Sequence, residues 1–391
     1  MKAPIPIYLD GFSTMPLAPE ARDAMIEAWA QPGNSKSPHS AGERSAQLVA
    51  NGRSSVAKLV NAAPAEIFFT SGATESNGRV FTNAVKNESA KGRHRIIVSA
   101  VEHEAVINPA KRLASMGFSI SLAPVDQFGR LDVSAFQSMM DDDVLLASVM
   151  AVNNETGVIQ PIAEAATIAH SSGALFHCDA AQAVGKIPID VIELDVDFLS
   201  ISAHKLHGPY GIGALYVASA TQGLSKPLGD DGPRQQLRHG TEPTPLIVGF
   251  GVAAELALKS IRAGANETTA LALRLEEQLR TRQVTFTRIT GQHPLVPGSL
   301  AVQFAGVDGD LLCAAIGKTV CISTGSACTS GQIKTSHVLD AMGFSYDQAR
   351  EVVRIKCNRY NSFDEIDSAA QIIADAIART KFTLDDVASG V

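Results

Sequence analysis

Two short segments place a carboxylate and an amine where one sheet edge would bring them together. His177-Cys178-Asp179-Ala180-Ala181-Gln182 closes one apolar run, and Ser200-Ile201-Ser202-Ala203-His204-Lys205-Leu206-His207-Gly208-Pro209 closes the next. The interval between Asp179 and Lys205 is long enough for one connection and a return strand, so both side chains can meet at the same edge. A lysine amine forms a Schiff base with pyridoxal 5'-phosphate, and a carboxylate on the pyridinium nitrogen keeps the ring protonated as an electron sink. Taken singly, the two residues read first as a solvated ion pair beyond a strand end, and the phosphate turn upstream reverses that balance.

Upstream, Phe68-Phe69-Thr70-Ser71-Gly72-Ala73-Thr74-Glu75-Ser76 reads as a strand, a small-residue turn and a helix start. Free backbone N–H groups and the helix dipole let Ser71, Gly72, Ala73 and Thr74 hold a phosphate there; an ordinary capping turn is the alternative. The segment is not a P-loop, and the GKT at Gly317 to Thr319 has Leu312 where a P-loop needs its first glycine. A third segment, Ile322 to Gly331, sets Cys328 among Ser, Thr, Gly and Ala, which cannot pack as a core. A thiol in such a segment is free to move and react. The other cysteines differ: Cys178, Cys313 and Cys321 lie in apolar surroundings that favour packing, and Cys357 is undecided.

The elements that position these residues follow from the patterning. Strands are expected at 66–70, 95–99, 144–150, 174–179 and 198–202, with helices at 74–85, 104–116, 132–140 and 161–170 between them; the pattern changes after 211–217. That alternation predicts an α/β fold with a mostly parallel sheet covered on both faces and ligands at the carboxyl ends of its strands. After a loop rich in Gly, Pro and charge at 224–245, helices at 246–262 and 267–282 lead to a smaller α+β unit. Its strands are expected at 299–304 and 351–356, and its helices at 309–316 and 363–380. The expected division is 15–250 for the large unit, with 1–14 and 251–391 forming the small one that carries the Cys328 segment.

Composition narrows the function classes. A chain of 391 residues suits two or three cores at roughly 150 residues each, and 45% hydrophobic with 19% charged residues excludes a disordered tail. Thirty-three Lys and Arg against forty Asp and Glu give a net charge of −7, which disfavours direct nucleic-acid or anionic-membrane binding. The opening MKAPIPIYLD lacks a signal-peptide core, and the longest apolar stretch, Val144 to Val152, is less than half a membrane span. A soluble, cytoplasmic protein is expected. Five dispersed cysteines without a C-x-x-C pair suggest neither disulfides nor a metal site.

The ordered motifs S-G-A-T-E-S at Ser71 to Ser76, Glu102-His103, N-N-E-T-G at Asn153 to Gly157, D-A-A-Q at Asp179 to Gln182, S-A-H-K-L-H-G-P at Ser202 to Pro209 and G-I-G-A-L-Y at Gly211 to Tyr216 resemble the NifS/IscS-like cysteine desulfurases. These are class V members of the fold-type I pyridoxal phosphate transferases, with a large domain on a mostly parallel seven-stranded sheet and a smaller α+β domain. The resemblance runs from about Tyr8 to Ile366.

It implies that Lys205 carries pyridoxal phosphate as a Schiff base, that His103 stacks on the ring and shuttles protons, and that Asn154 and Gln182 bond the ring hydroxyl. Ala73, Thr74, Ser202 and His204 would hold the phosphate. Arg354, with Asn154, would bind the α-carboxylate of L-cysteine, and Cys328 would receive its sulfur. The turn Arg238-His239-Gly240-Thr241 resembles one whose threonine reaches the phosphate of a second subunit, which implies a homodimer. The implied reaction turns L-cysteine into L-alanine and passes sulfur from Cys328 to an acceptor protein, such as an iron–sulfur scaffold or a thiolation enzyme. The alternatives are a selenocysteine lyase, an aminotransferase, or a weakly active sulfur-relay subunit. They are motivated by departures from the family pattern at Gly11 to Met15, Tyr210, Asp230 to Arg234 and Lys356, which are expected around the substrate mouth.

Overall fold

The computed structural model describes residues 5–88, 92–221, 240–264, 267–325 and 336–389. Its strands are β1 (Ile7–Tyr8), β2 (Ile67–Thr70), β3 (Arg95–Ser99), β4 (Ser119–Ala123), β5 (Val144–Ser148), β6 (Leu175–Asp179), β7 (Phe198–Ser202), β8 (Gly213–Val217), β9 (Thr287–Arg288), β10 (Ser299–Gln303), β11 (Val320–Cys321) and β12 (Val352–Lys356). The helices are α1 (Pro19–Trp29), α2 (Ser40–Leu59), α3 (Ala73–Glu88), α4 (Glu104–Ala114), α5 (Val133–Met139), α6 (Ile162–Ser171), α7 (Thr244–Arg262), α8 (Glu267–Thr281), α9 (Gly309–Ile316), α10 (His337–Ala341), α11 (Tyr346–Arg350) and α12 (Phe363–Ser389).

Seven strands form one sheet in the order β2-β8-β7-β6-β5-β3-β4, in which only β8 runs against the rest. The inner strands β5, β7 and β8 are buried at every position, as a sheet covered on both faces requires. Because five neighbouring strands run parallel, the loops after β3, β5, β6 and β7 emerge on one side. The end of β2, parallel to them across β8, delivers the turn into α3 to that same side.

The smaller unit is built on the antiparallel sheet β12-β10-β9, with α8, α9 and α12 around a core that includes Leu275, Val302, Ile355 and Ile373. The N-terminal segment joins the two. β1 pairs with β11 and Leu9 enters the small core, whereas Phe12 enters the large one. α7 belongs wholly with the large core through Ile247, Phe250, Ala254 and Ala257, so position 250 falls inside a helix. By length and composition α7 is apolar enough to cross a membrane, but it packs against α1 and α2. That packing is close: a Cβ on Gly251 would lie 2.8 Å from the Cα of Gly52.

Candidate active site

A cleft of about 1260 Å3 opens at the carboxyl ends of the large sheet. Ala73 and Thr74 reach it from the start of α3, His103 from the loop after β3, and Asn154 from the loop after β5. Asp179 and Gln182 come from the end of β6, and Ser202, His204 and Lys205 from the end of β7. Arg354 enters from β12 of the small unit. Ten of the twelve expected site residues thus line one cavity. Thr241 is exposed and lies outside this chain's cleft, and Cys328 falls outside the described residues.

Asp179 is buried, and both its oxygens are held: Asn77 Nδ2 donates to Oδ2 at 2.7 Å and the Ala181 N–H to Oδ1 at 3.0 Å. The bonds fix the carboxylate while leaving lone pairs toward the cavity. Lys205 Nζ donates to the carbonyls of Phe12 and Ser13 at 2.5 and 2.7 Å. Burial, then repulsion from Arg354, pulls its amine down to about 8, against the opposing pull of Asp10 and Asp179. An amine so placed gives up and regains a proton near neutral pH. His103 caps α4, its Nδ1 accepting from the Ala105 N–H at 3.1 Å. Burial lowers its pKa, so the neutral ring carries its proton on Nε2. The cap and the cleft residue are therefore one and the same histidine.

Arg354 is 9% exposed and bonds only neutral oxygens among the described residues: Ser323 Oγ at 2.8 Å, the Asn154 carbonyl at 3.1 Å and Ser13 Oγ at 3.2 Å. No described carboxylate lies within ion-pair distance of it. A buried guanidinium without a counter-ion is costly unless an anion arrives. Nearby, Asn154 Oδ1 is buried with no hydrogen-bond partner among the described residues.

At the phosphate turn one expectation changes. The Ser71 N–H donates to Glu75 Oε2 at 2.6 Å, so this amide is already engaged and the helix-start groups of Ala73 and Thr74 are the ones left for an anion. Ser202 and His204 face the same region, and His204 is oriented by Thr14 Oγ1 at 3.0 Å and stacked on Tyr210. β8 hugs the turn, since a Cβ on Gly213 would sit 2.7 Å from Gly72 Cα.

The departures from the family pattern divide. Phe12, Ser13 and Tyr210 line the cleft, whereas Gly11 and Lys356 pack on each other: a Cβ at Gly11 would lie 2.9 Å from Lys356 Cγ. Lys356 is 2% exposed, and its amine is spent on the Pro297 carbonyl. Residues 230–234 lie outside the described residues.

Residue types and spacing did not reveal Asn77, Glu155 or the Phe12 and Ser13 carbonyls. Asn77 had one signal, a polar side chain at a buried phase of α3. Glu155 is 7% exposed, accepts from Ser336 Oγ at 2.5 Å and lies so near Gly325 that a Cβ there would be 2.1 Å from Oε2. Burial pushes its carboxyl up to about 7, with Ser336 and Arg354 opposing. A carboxyl whose folded pKa exceeds its unfolded value of 4.5 costs stability as pH rises between the two. Glu155→Gln is therefore expected to gain melting temperature over the parent as pH is raised from about 5 to about 7, with the gain level above that. Parallel melting curves across this range would contradict the burial of that charge.

All four described cysteines have thiols pushed above the ordinary range by burial. Cys178 sits in the large core, raised well above it, and Cys357 in the small core at about 12. Cys313 flanks the small core at about 12 as well. Cys321 is only partly buried on β11, so core packing does not describe it, and its thiol is raised too.

The sequence profile for Aminotransferase class-V matches residues 7–368. A cysteine desulfurase IscS of Anaeromyxobacter dehalogenans (strain 2CP-C) is 40% identical over 380 residues, spanning 96% of this chain and 94% of its own. Among solved structures, a NifS-like protein superposes with a TM-score of 0.87 at 32% identity over 96% of this chain and 100% of its own. The structure of SspA in complex with cysteine superposes at 0.78 with 31% identity over 91% of this chain and 100% of its own. Agreement of this extent, in sequence and in fold, shows that the chain belongs to the class-V aminotransferase family and groups with its cysteine desulfurases.

Proposed function

We propose that this chain is a pyridoxal phosphate-dependent L-cysteine desulfurase that takes sulfur onto Cys328 as a persulfide. The observation that carries this reading is Arg354, a buried guanidinium with no described carboxylate partner, facing the cavity that holds Asp179 and Lys205. The cavity's polar groups fit the cofactor. Asp179 would offer lone pairs to a pyridinium N–H, Asn154 and Gln182 would bond a ring hydroxyl, and His103 would supply a ring to stack. Ala73, Thr74, Ser202 and His204 provide N–H, hydroxyl and imidazole groups for the phosphate. Lys205 Nζ is the amine that would hold the cofactor covalently.

When bound, pyridoxal phosphate supplies an electron sink that weakens the substrate's Cβ–S bond. Arg354 and Asn154 orient the amino acid by its carboxylate. Lys205 Nζ moves the α-proton, and His103 Nε2 holds or returns a proton beside it. The Cys328 thiolate attacks the substrate sulfur: an S–S bond forms, the Cβ–S bond breaks, and a proton completes alanine. One cysteine and one thiol thus become one alanine and one persulfide, with no outside oxidant. Thr241, exposed on its own chain, completes the phosphate site of a second copy in this reading, and a protein acceptor then removes the sulfur.

The test is to incubate the purified protein with L-cysteine and follow alanine together with the mass of the Cys328 peptide. Alanine with a one-sulfur mass gain on that peptide is expected. A keto acid instead would mark an aminotransferase, and absence of turnover with a thiol reductant present would mark a relay subunit. Arg354→Met is expected to lower kcat/KM for cysteine by about 10- to 100-fold, mostly through KM, as loss of a charge-assisted bond to a bound carboxylate would do. Initial rates over a range of cysteine concentrations decide, and an unchanged KM would remove Arg354 from substrate binding.

A further inference from the structure

We propose that Lys186 is a positioning residue for the cofactor site, fixing the carboxamide of Gln182 so that its N–H groups, and not its oxygen, face the ring hydroxyl. The inference rests on the reading that Gln182 bonds that hydroxyl. Lys186 stands four residues beyond Gln182 in the turns that follow β6 and donates from Nζ to Gln182 Oε1 at 2.8 Å. On its other side, Gln182 Nε2 donates to the Phe12 carbonyl at 2.8 Å. Gln182 is 4% exposed, so its amide depends mainly on these two partners.

The two bonds select one orientation of the amide. Turning it over would give up the Lys186 donation to Oε1 and set the Gln182 oxygen against the oxygen of Phe12, two acceptors face to face. Nε2 carries two hydrogens, and the one not given to Phe12 is left for the cleft that Gln182 lines. The Phe12 carbonyl also accepts from Lys205 Nζ at 2.5 Å, so Lys186, Gln182, Phe12 and Lys205 form one connected polar chain. Without Lys186, Gln182 Oε1 would be buried unpaired, and the amide could turn to present oxygen to an anionic ring oxygen. The burial that lowers the Lys186 amine, with Lys356 and Lys205 adding to it, does not remove its ability to donate.

The experiment uses the cofactor-loaded enzyme and reads the pH midpoint of the protein-bound cofactor's visible absorption. An anionic ring oxygen that loses a donor holds protons more tightly. Lys186→Met and Gln182→Leu are each expected to raise the midpoint by about one unit, and the double variant to raise it no further than either alone. If the two shifts add, Lys186 acts by its charge alone and the proposal falls. If Gln182→Leu shifts the midpoint and Lys186→Met does not, the inference fails while the reading of Gln182 stands. If Gln182→Leu shifts nothing, that reading fails and takes the inference with it. Far-UV circular dichroism confirms folding, and Lys186→Leu carries the same expectation should Lys186→Met not fold.

Discussion

Lys205→Ala is expected to lose the visible absorption of a lysine-bound cofactor and to turn over cysteine at least about 10³-fold more slowly. Proton transfer alone accounts for 10²- to 10⁴-fold in such reactions, and the same amine is proposed to hold the cofactor. The environment is suited to both tasks. Burial and Arg354 bring the amine down to about 8, so a useful fraction is unprotonated at neutral pH. The Phe12 and Ser13 carbonyls that hold Nζ also keep it inside the cleft. Lys205→Arg is the informative companion, because it keeps a cation against those carbonyls yet cannot deprotonate. Absorption of a lysine-bound cofactor persisting in either variant would mean that another amine, such as Lys111, which also lines the cleft, is the attachment point.

The large sheet was legible because each strand–helix step changes the hydrophobic period. Expected and observed strands agree within two residues at 67–70, 95–99, 144–148, 175–179 and 198–202. What escaped was structure without a hydrophobic signature. α2 buries Gly42, Ser45, Gly52, Ser55 and Ala57 beside Val49, Val56 and Leu59, so small residues that permit close approach dilute the apolar stripe that would mark it. β4 is an edge strand buried only at Ala123, so alternation could not mark it.

The site was legible where chemistry resides in side chains that end strands. Asp179, Lys205 and the turn at Ala73 could be read because parallel strands carry their ends to a common side. Backbone groups could not be read in this way. The carbonyls of Phe12 and Ser13 hold Lys205 through a segment some 190 residues away, and nothing in the type of residue 12 or 13 announces that role. The departure at Lys356 resolves as packing, not as a substrate contact: its stem fills the space that Gly11 leaves, away from the cleft. Read as residue types alone, both changes look like an altered substrate mouth. In the fold the two residues pack against each other.

Cys328→Ser is expected to retain the bound cofactor and its response to added cysteine while losing persulfide and at least about 10³-fold in turnover, as removal of a covalent nucleophile does. The argument for this residue is chemical and partly eliminative. The attacking species is a thiolate, and Cys178, Cys313, Cys321 and Cys357 are each held in the thiol form by burial. None of these four lines the cleft. Cys328 belongs to a run of Ser, Thr, Gly and Ala in the sequence, and the described residues on either side of that run, Gly325 and Ser336, both line the cleft. Sulfur must travel from the substrate to an acceptor outside, and a core thiol cannot make both contacts. Mass spectrometry of the cysteine-treated Cys328→Ser variant separates the outcomes: an unmodified chain is expected, whereas a sulfur adduct on Cys321, the most accessible of the remaining strand cysteines, with alanine output undiminished would transfer the nucleophile to β11.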